Sequence, residues 1–126
     1  MRFSRIILTL AAFMIAVPTL AADEHIVDAT EWTDEVKEIE VRSVGLRYTP
    51  SEIRVRLGDT VRITYVNGGG RHDWVLEEFD VATAVISARQ SETVEFVADQ
   101  AGEFEFYCSV RGHRAAGMYG KFIVVE

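Results

Sequence analysis

Cysteine is nearly absent. Cys108 is the single one in 126 residues, so no internal disulfide can brace the fold. Histidine is scarce too. His25, His72 and His113 complete the set, which is too few imidazoles for two metal centres each built on paired histidines. Of the three methionines, only Met118 lies beyond the first 22 residues. Basic residues are outnumbered, 13 against 20 acidic, and a net charge of −7 disfavours nucleic acid and anionic membrane surfaces as partners. No repeat, low-complexity tract or amphipathic helical pattern is present, and the length suits one domain with a single core.

No apolar run is long enough to span a bilayer comfortably. The run over 6–17 follows Arg2 and Arg5, is broken by Pro18 and leads to the small Ala21 and Ala22. This order predicts a signal peptide over 1–22, with an uncleaved membrane anchor as the alternative. No cysteine lies near the cleavage region, which disfavours a lipid anchor. Cleavage removes two arginines and no acid, leaving 11 basic residues against 20 acidic, a net charge near −9. The product is expected to be soluble, periplasmic or otherwise extracytoplasmic, with no stable membrane insertion. A lone cysteine in such a chain serves as an intermolecular pair, a reactive thiol or a ligand.

Residues 23–35 form an acidic amino-terminal arm, open between an ordered strand and a solvated tail. From Val36 the pattern alternates. Ile39 and Val41 interleave with Glu38, Glu40 and Arg42. Ile53, Val55 and Leu57 interleave with Arg54 and Arg56, and Val61, Ile63 and Tyr65 with Arg62 and Thr64. Thr49-Pro50-Ser51 and Gly58-Asp59 mark turns. Strands follow over 72–76, 93–97, 103–108 and 119–125, while 79–86 is open between strand and short helix. Seven or eight short strands predict an all-β domain over 36–126, a two-sheet sandwich or barrel. Phe104, Phe106 and Cys108 share one strand face, so a core made by the phenylalanines turns the thiol inward.

Around Cys108 the chain runs Tyr107-Cys108-Ser109-Val110-Arg111-Gly112-His113, and Met118 lies five residues further on. Four residues separate Cys108 from His113 and four separate His113 from Met118, with Gly112 and Gly117 free to make tight bends. Thiolate, imidazole and thioether are the ligands taken by copper that cycles between Cu(I) and Cu(II). A trigonal two-histidine, one-cysteine site with a weak axial methionine needs a second imidazole, which His72 supplies at the head of His72-Asp73-Trp74-Val75-Leu76. Each residue alone is weak: a buried cysteine is ordinarily a small hydrophobe and a methionine a gap filler. The combination predicts one copper ion held by His72, Cys108, His113 and Met118. The glycine run 68–70 before His72 is no phosphate cradle, since no Lys-Ser/Thr pair or helix pattern follows it.

On these residues the chain resembles the cupredoxins, the small blue copper proteins, over about 36–126. The 48–61 stretch is similar to the family's paired second and third strands, and 72–76 to the first-ligand strand of azurin and auracyanin. The 108–118 spacing is similar to rusticyanin and auracyanin rather than to the shorter plastocyanin loop. The chain is expected to be a monomer, and the resemblance implies a Greek-key β-sandwich. Its equatorial ligands would be His72, Cys108 and His113, with Met118 axial. It also implies no enzyme activity, and single electrons passed between larger redox proteins of the cytochrome or oxidase/reductase type. Two other function classes compete: a copper-buffering protein without a redox partner, and a copper enzyme, which would need an open position or a further metal centre.

In the family an asparagine usually follows the first histidine; here it is Asp73. A carboxylate can still accept bonds from the Cys108 loop, but its charge favours Cu(II). The resemblance makes His113 the exposed electron port, with Ala115, Ala116 and Gly117 a small apolar docking surface. Arg71, Arg111 and Arg114 flank two ligands in an otherwise acidic chain and suit an acidic partner. Asp23-Glu24-His25 would form an amino-terminal copper motif only if cleavage fell after Ala22; the small Thr19 favours cleavage after Ala21 instead.

Overall fold

A computed structural model of the protein describes residues 25–126. The leader 1–22, its cleavage point, and Asp23 and Glu24 of the amino-terminal motif lie outside the described residues. Ten strands are present: β1 Ile26–Asp28, β2 Val36–Val44, β3 Arg47–Thr49, β4 Glu52–Arg56, β5 Thr60–Asn67, β6 Val75–Leu76, β7 Val81–Ala82, β8 Ser91–Val97, β9 Gly102–Tyr107 and β10 Tyr119–Val125. They form two mixed sheets, ordered β1-β4-β10-β9-β6-β7 and β3-β2-β5-β8. Among the described residues no helix is long and apolar enough to cross a membrane.

Alternation decides which face is buried. In β2 and β5 every second residue is buried, and Ile39, Val41, Val61, Ile63 and Tyr65 line one side of the core. Ile53, Val55, Phe106, Phe122 and Val124 close it from the other sheet. The fold is the expected Greek-key sandwich, with more strands than the seven or eight expected. β1 and β3 are three residues each, too short to show a periodicity, and 79–86 contributes the two-residue β7 after a 3-10 turn at Glu77–Phe79. β1 lies parallel to β4, Val27 beside Ile53, so the described part of the acidic segment is tied to the sheet.

Two other expectations change. Leu57 does not continue the buried series. β4 ends at Arg56, and Leu57 is 47% exposed in the turn that follows. The run from His72 is not one strand either. His72 bridges Ile86, and the ladder resumes only at Val75. Between them side chains take over the backbone groups: the Tyr48 hydroxyl donates to the Asp73 carbonyl, and the Trp74 N–H donates to Thr83 Oγ1.

Candidate metal centre

Two chain segments meet at one end of the sandwich. The first leaves β5 at Asn67 and reaches His72 through the glycine run. Asn67 is fully buried; its Nδ2 donates to the Gly70 and Ile86 carbonyls at 2.9 Å each, and its Oδ1 accepts from Ser43 Oγ and the Gly69 N–H. The Gly68 N–H donates to the Ser43 carbonyl at 3.1 Å, and a Cβ on Gly68 would sit 2.1 Å from that oxygen. What reads in sequence as a flexible loop is therefore pinned. His72 is held by paired backbone bonds to Ile86 and by a hydrogen bond between its ring and the Gly69 backbone. A second bond of this kind orients a ligating imidazole.

The second segment leaves β9 at Tyr107 and returns in β10. Cys108 donates its N–H to the Met118 carbonyl, and Met118 donates to the His113 carbonyl at 3.0 Å. Gly112 and Gly117 take positive φ, 85° and 108°, as the turns around His113 require. These bonds close the 108–118 loop on itself. His72 and Cys108 are buried, His113 is half-buried, and Met118 is fully buried beneath the loop.

The three donor atoms converge. His72 Nδ1 and His113 Nδ1 are 3.0 Å apart, and Cys108 Sγ lies 3.8 Å from the first and 3.5 Å from the second. The point equidistant from all three is about 2 Å from each, the length of a metal–nitrogen bond and a little short of a metal–sulfur bond. Without an ion such a cluster favours uncharged groups. Burial and the neighbouring His113 push the His72 pKa down, and burial pushes the Cys108 thiol up. Hydrogen bonds from the Asp73 and Val110 backbone to the sulfur act the other way and suit a thiolate.

Asp73 joins the two segments. Its Oδ1 accepts the Ser109 N–H at 2.7 Å, and its Oδ2 accepts the Ser109 hydroxyl. The carboxylate thus makes the loop contact expected of it. Beneath lie Tyr48, Phe106 and Trp74, with Phe106 5.5 Å from both other rings. Burial raises the Tyr48 pKa far above its ordinary value, so its hydroxyl stays a donor. Of the three arginines singled out in sequence, Arg114 turns back to Glu105 at 2.6 Å and stacks 3.9 Å over Tyr107. Arg71 and Arg111 are exposed and form no salt bridge among the described residues. Sequence reasoning missed Asn67 and Ser43. Nothing but their polarity in a strand otherwise turned to the core signals them.

Residues 5–124 match the cupredoxin-like domain model. The chain is 33% identical over 104 residues to the copper-resistant cuproprotein CopI of Rubrivivax gelatinosus, a match covering 67% of this chain and 63% of that protein. It is 30% identical over 115 residues to the halocyanin of Natronomonas pharaonis, covering 89% of this chain and 69% of the relative. The solved structure of auracyanin from Roseiflexus castenholzii superposes with a TM-score of 0.66 at 24% identity, over 71% of this chain and 98% of that one, a likeness of fold. The chain belongs to the cupredoxin-like family, and His72, Cys108, His113 and Met118 are arranged as its copper site.

Proposed function

We propose that the chain is an exported mononuclear blue copper protein that carries single electrons between larger redox proteins, in which His72, Cys108, His113 and Met118 would hold the copper. The observation that carries this is the 3.0–3.8 Å triangle of two imidazole nitrogens and one sulfur, formed by side chains whose backbones are already hydrogen-bonded. Bound copper would supply a one-electron couple between Cu(I) and Cu(II). The residues do the rest. The backbone of Asp73 and of Val110 stabilises charge on Cys108 Sγ, while the Asp73 carboxylate opposes it. Ile86 and Gly69 hold His72 at one angle. The Asp73–Ser109 bonds keep the two ligand segments from separating. Ligands held this way move little when charge changes, which keeps electron exchange fast. His113, the half-buried ligand, lies beside the exposed Ala115 and Ala116 and is the port. A ligand set closed by four side chains supports a carrier over an enzyme, which needs an open position. The partners are redox proteins, and the carrier works as a monomer in brief encounters.

A second reading, copper handling without a redox partner, is favoured by the likeness to CopI. One experiment separates the two. Reduced, copper-loaded protein is mixed in a stopped-flow cell with oxidised membrane and soluble fractions of its native host. The carrier reading expects the blue colour to return within seconds in at least one fraction. Colour that returns only at the rate seen with air would sink it and leave copper handling.

A further inference from the structure

Beside the ligand loop is a cleft of about 140 Å³ that the copper site does not use. His25, Arg47, Thr49, Ser51, Gly117 and Tyr119 form its walls, with Tyr48 behind them. It has room for about five waters, enough for a carboxylate or a phosphate group and too little for a nucleotide. The lining chemistry is one-sided. Arg47 offers a guanidinium, exposed and in no salt bridge among the described residues. Thr49 and Tyr119 offer hydroxyls, and Tyr119 is 51% exposed, while the Ser51 hydroxyl donates to the His25 carbonyl at 3.2 Å. Among the described residues no Asp or Glu lines the cleft. Donors gathered around a cation, with no described acid among them, suit an anion.

Position gives the cleft a purpose. Gly117 lies between His113 and Met118, so one wall is the ligand loop itself. Tyr48 donates to the Asp73 carbonyl, one residue from His72. Arg47 opposes Val44 at the hairpin that follows Ser43, the residue that holds the glycine run. An anion seated here touches the ligand loop at Gly117 and is linked to the His72 segment through the Tyr48 hydrogen bond, while His113 is not among the lining residues. We propose that this cleft is a carboxylate-binding subsite in which an acidic side chain of the docking redox partner seats against Arg47. The partner half rests on the electron-carrier reading; the anion half does not.

The purified full chain, kept reduced, is titrated with sodium acetate at fixed ionic strength and followed by amide NMR shifts. Saturable shifts at Arg47, Thr49, Ser51, Gly117 and Tyr119 are expected, about tenfold weaker in Arg47→Gln and unchanged in the distant control Arg89→Gln. Shifts that never saturate, or that weaken equally in both variants, overturn the subsite. A hexaglutamate peptide is then titrated. Tighter binding than acetate through the same resonances supports a partner side chain as the occupant. Acetate binding with the peptide excluded overturns the docking role and leaves a free small anion. Neither titration reads colour or electron exchange, so a chain that fails as a carrier still answers both.

Discussion

In one region of the sandwich Phe79 meets the rings of Phe96, Phe104 and Phe122, and Phe96 meets Phe122, all at 4.9–5.5 Å between centroids. In the other, Ser43, Asn67, His72 and Asp73 are buried with hydrogen bonds running between strands and loops. β9 passes through both, carrying Phe104 in the first and Phe106 in the second before it delivers Cys108. The first region is held by removal of apolar surface from water, which has no preferred direction. The second is held by bonds that have direction and must be met, because an unpaired buried polar group costs more than a made bond returns. Stability and geometry are therefore assigned to different parts of one small core. That division suits a site whose ligands must not shift.

Cutting at each region should separate the two properties, and the largest effect is on the metal. Cys108→Ala should abolish the intense visible absorption of the oxidised protein, while thermal unfolding of the copper-free chain changes little. A variant that keeps the blue colour would remove Cys108 from the ligand set. Phe122→Ala is the opposite cut. Phe122 is fully buried, and its loss should cost about 3–5 kcal/mol in urea unfolding. The fraction still folded should keep its spectrum, because the ring packs on Phe79 and Phe96, which lie outside both ligand segments. A shifted band in that fraction would mean that the two regions are mechanically coupled.

How far each region could be read in the sequence follows from the same contrast. Apolar alternation is local, so β2, β4 and β5 were visible, and Phe106 and Cys108 are buried as their shared parity requires. The donors of the 108–118 loop were visible because few residue types bind copper and they lie close together in the chain. What stayed hidden depends on distant partners. The Asn67 side chain bonds Ser43, 24 residues back, and Ile86, 19 ahead, and beside three glycines an asparagine reads as a turn. Arg114 was grouped with Arg71 and Arg111 by proximity in sequence, but Glu105 draws it back along β9. β1, β3 and β7 have too few residues to show a period; distant pairing and single core contacts such as Tyr48 place them.

Asn67→Ala tests the directional bonds more gently. It leaves the Ser43 hydroxyl proton, the Gly69 N–H and the Gly70 carbonyl without their Asn67 partner, for a cost of about 1–3 kcal/mol. The signature that sets it apart from Phe122→Ala is spatial. Amide exchange should quicken first at Gly68, Gly69 and His72, and the visible band should broaden as His72 loses its fixed angle. Uniform loss of protection with an unchanged band would make Asn67 an ordinary core residue.

The smallest effect expected is at Asp73, where geometry can be kept and charge alone removed. Asn in its place retains an oxygen to accept the Ser109 N–H, and its amide can donate to the Ser109 hydroxyl, reversing one bond without losing it. The two ligand segments should stay joined, with unfolding within about 1 kcal/mol of the parent. The lost carboxylate charge had favoured Cu(II), so the reduction potential should rise, on the order of 50 mV. Protein-film voltammetry reads the sign directly. A rise with the visible spectrum unchanged assigns the effect to charge. A fall accompanied by a shifted band would assign it to a loosened Ser109 contact, and would show that Asp73 acts through its hydrogen bonds and not through its field.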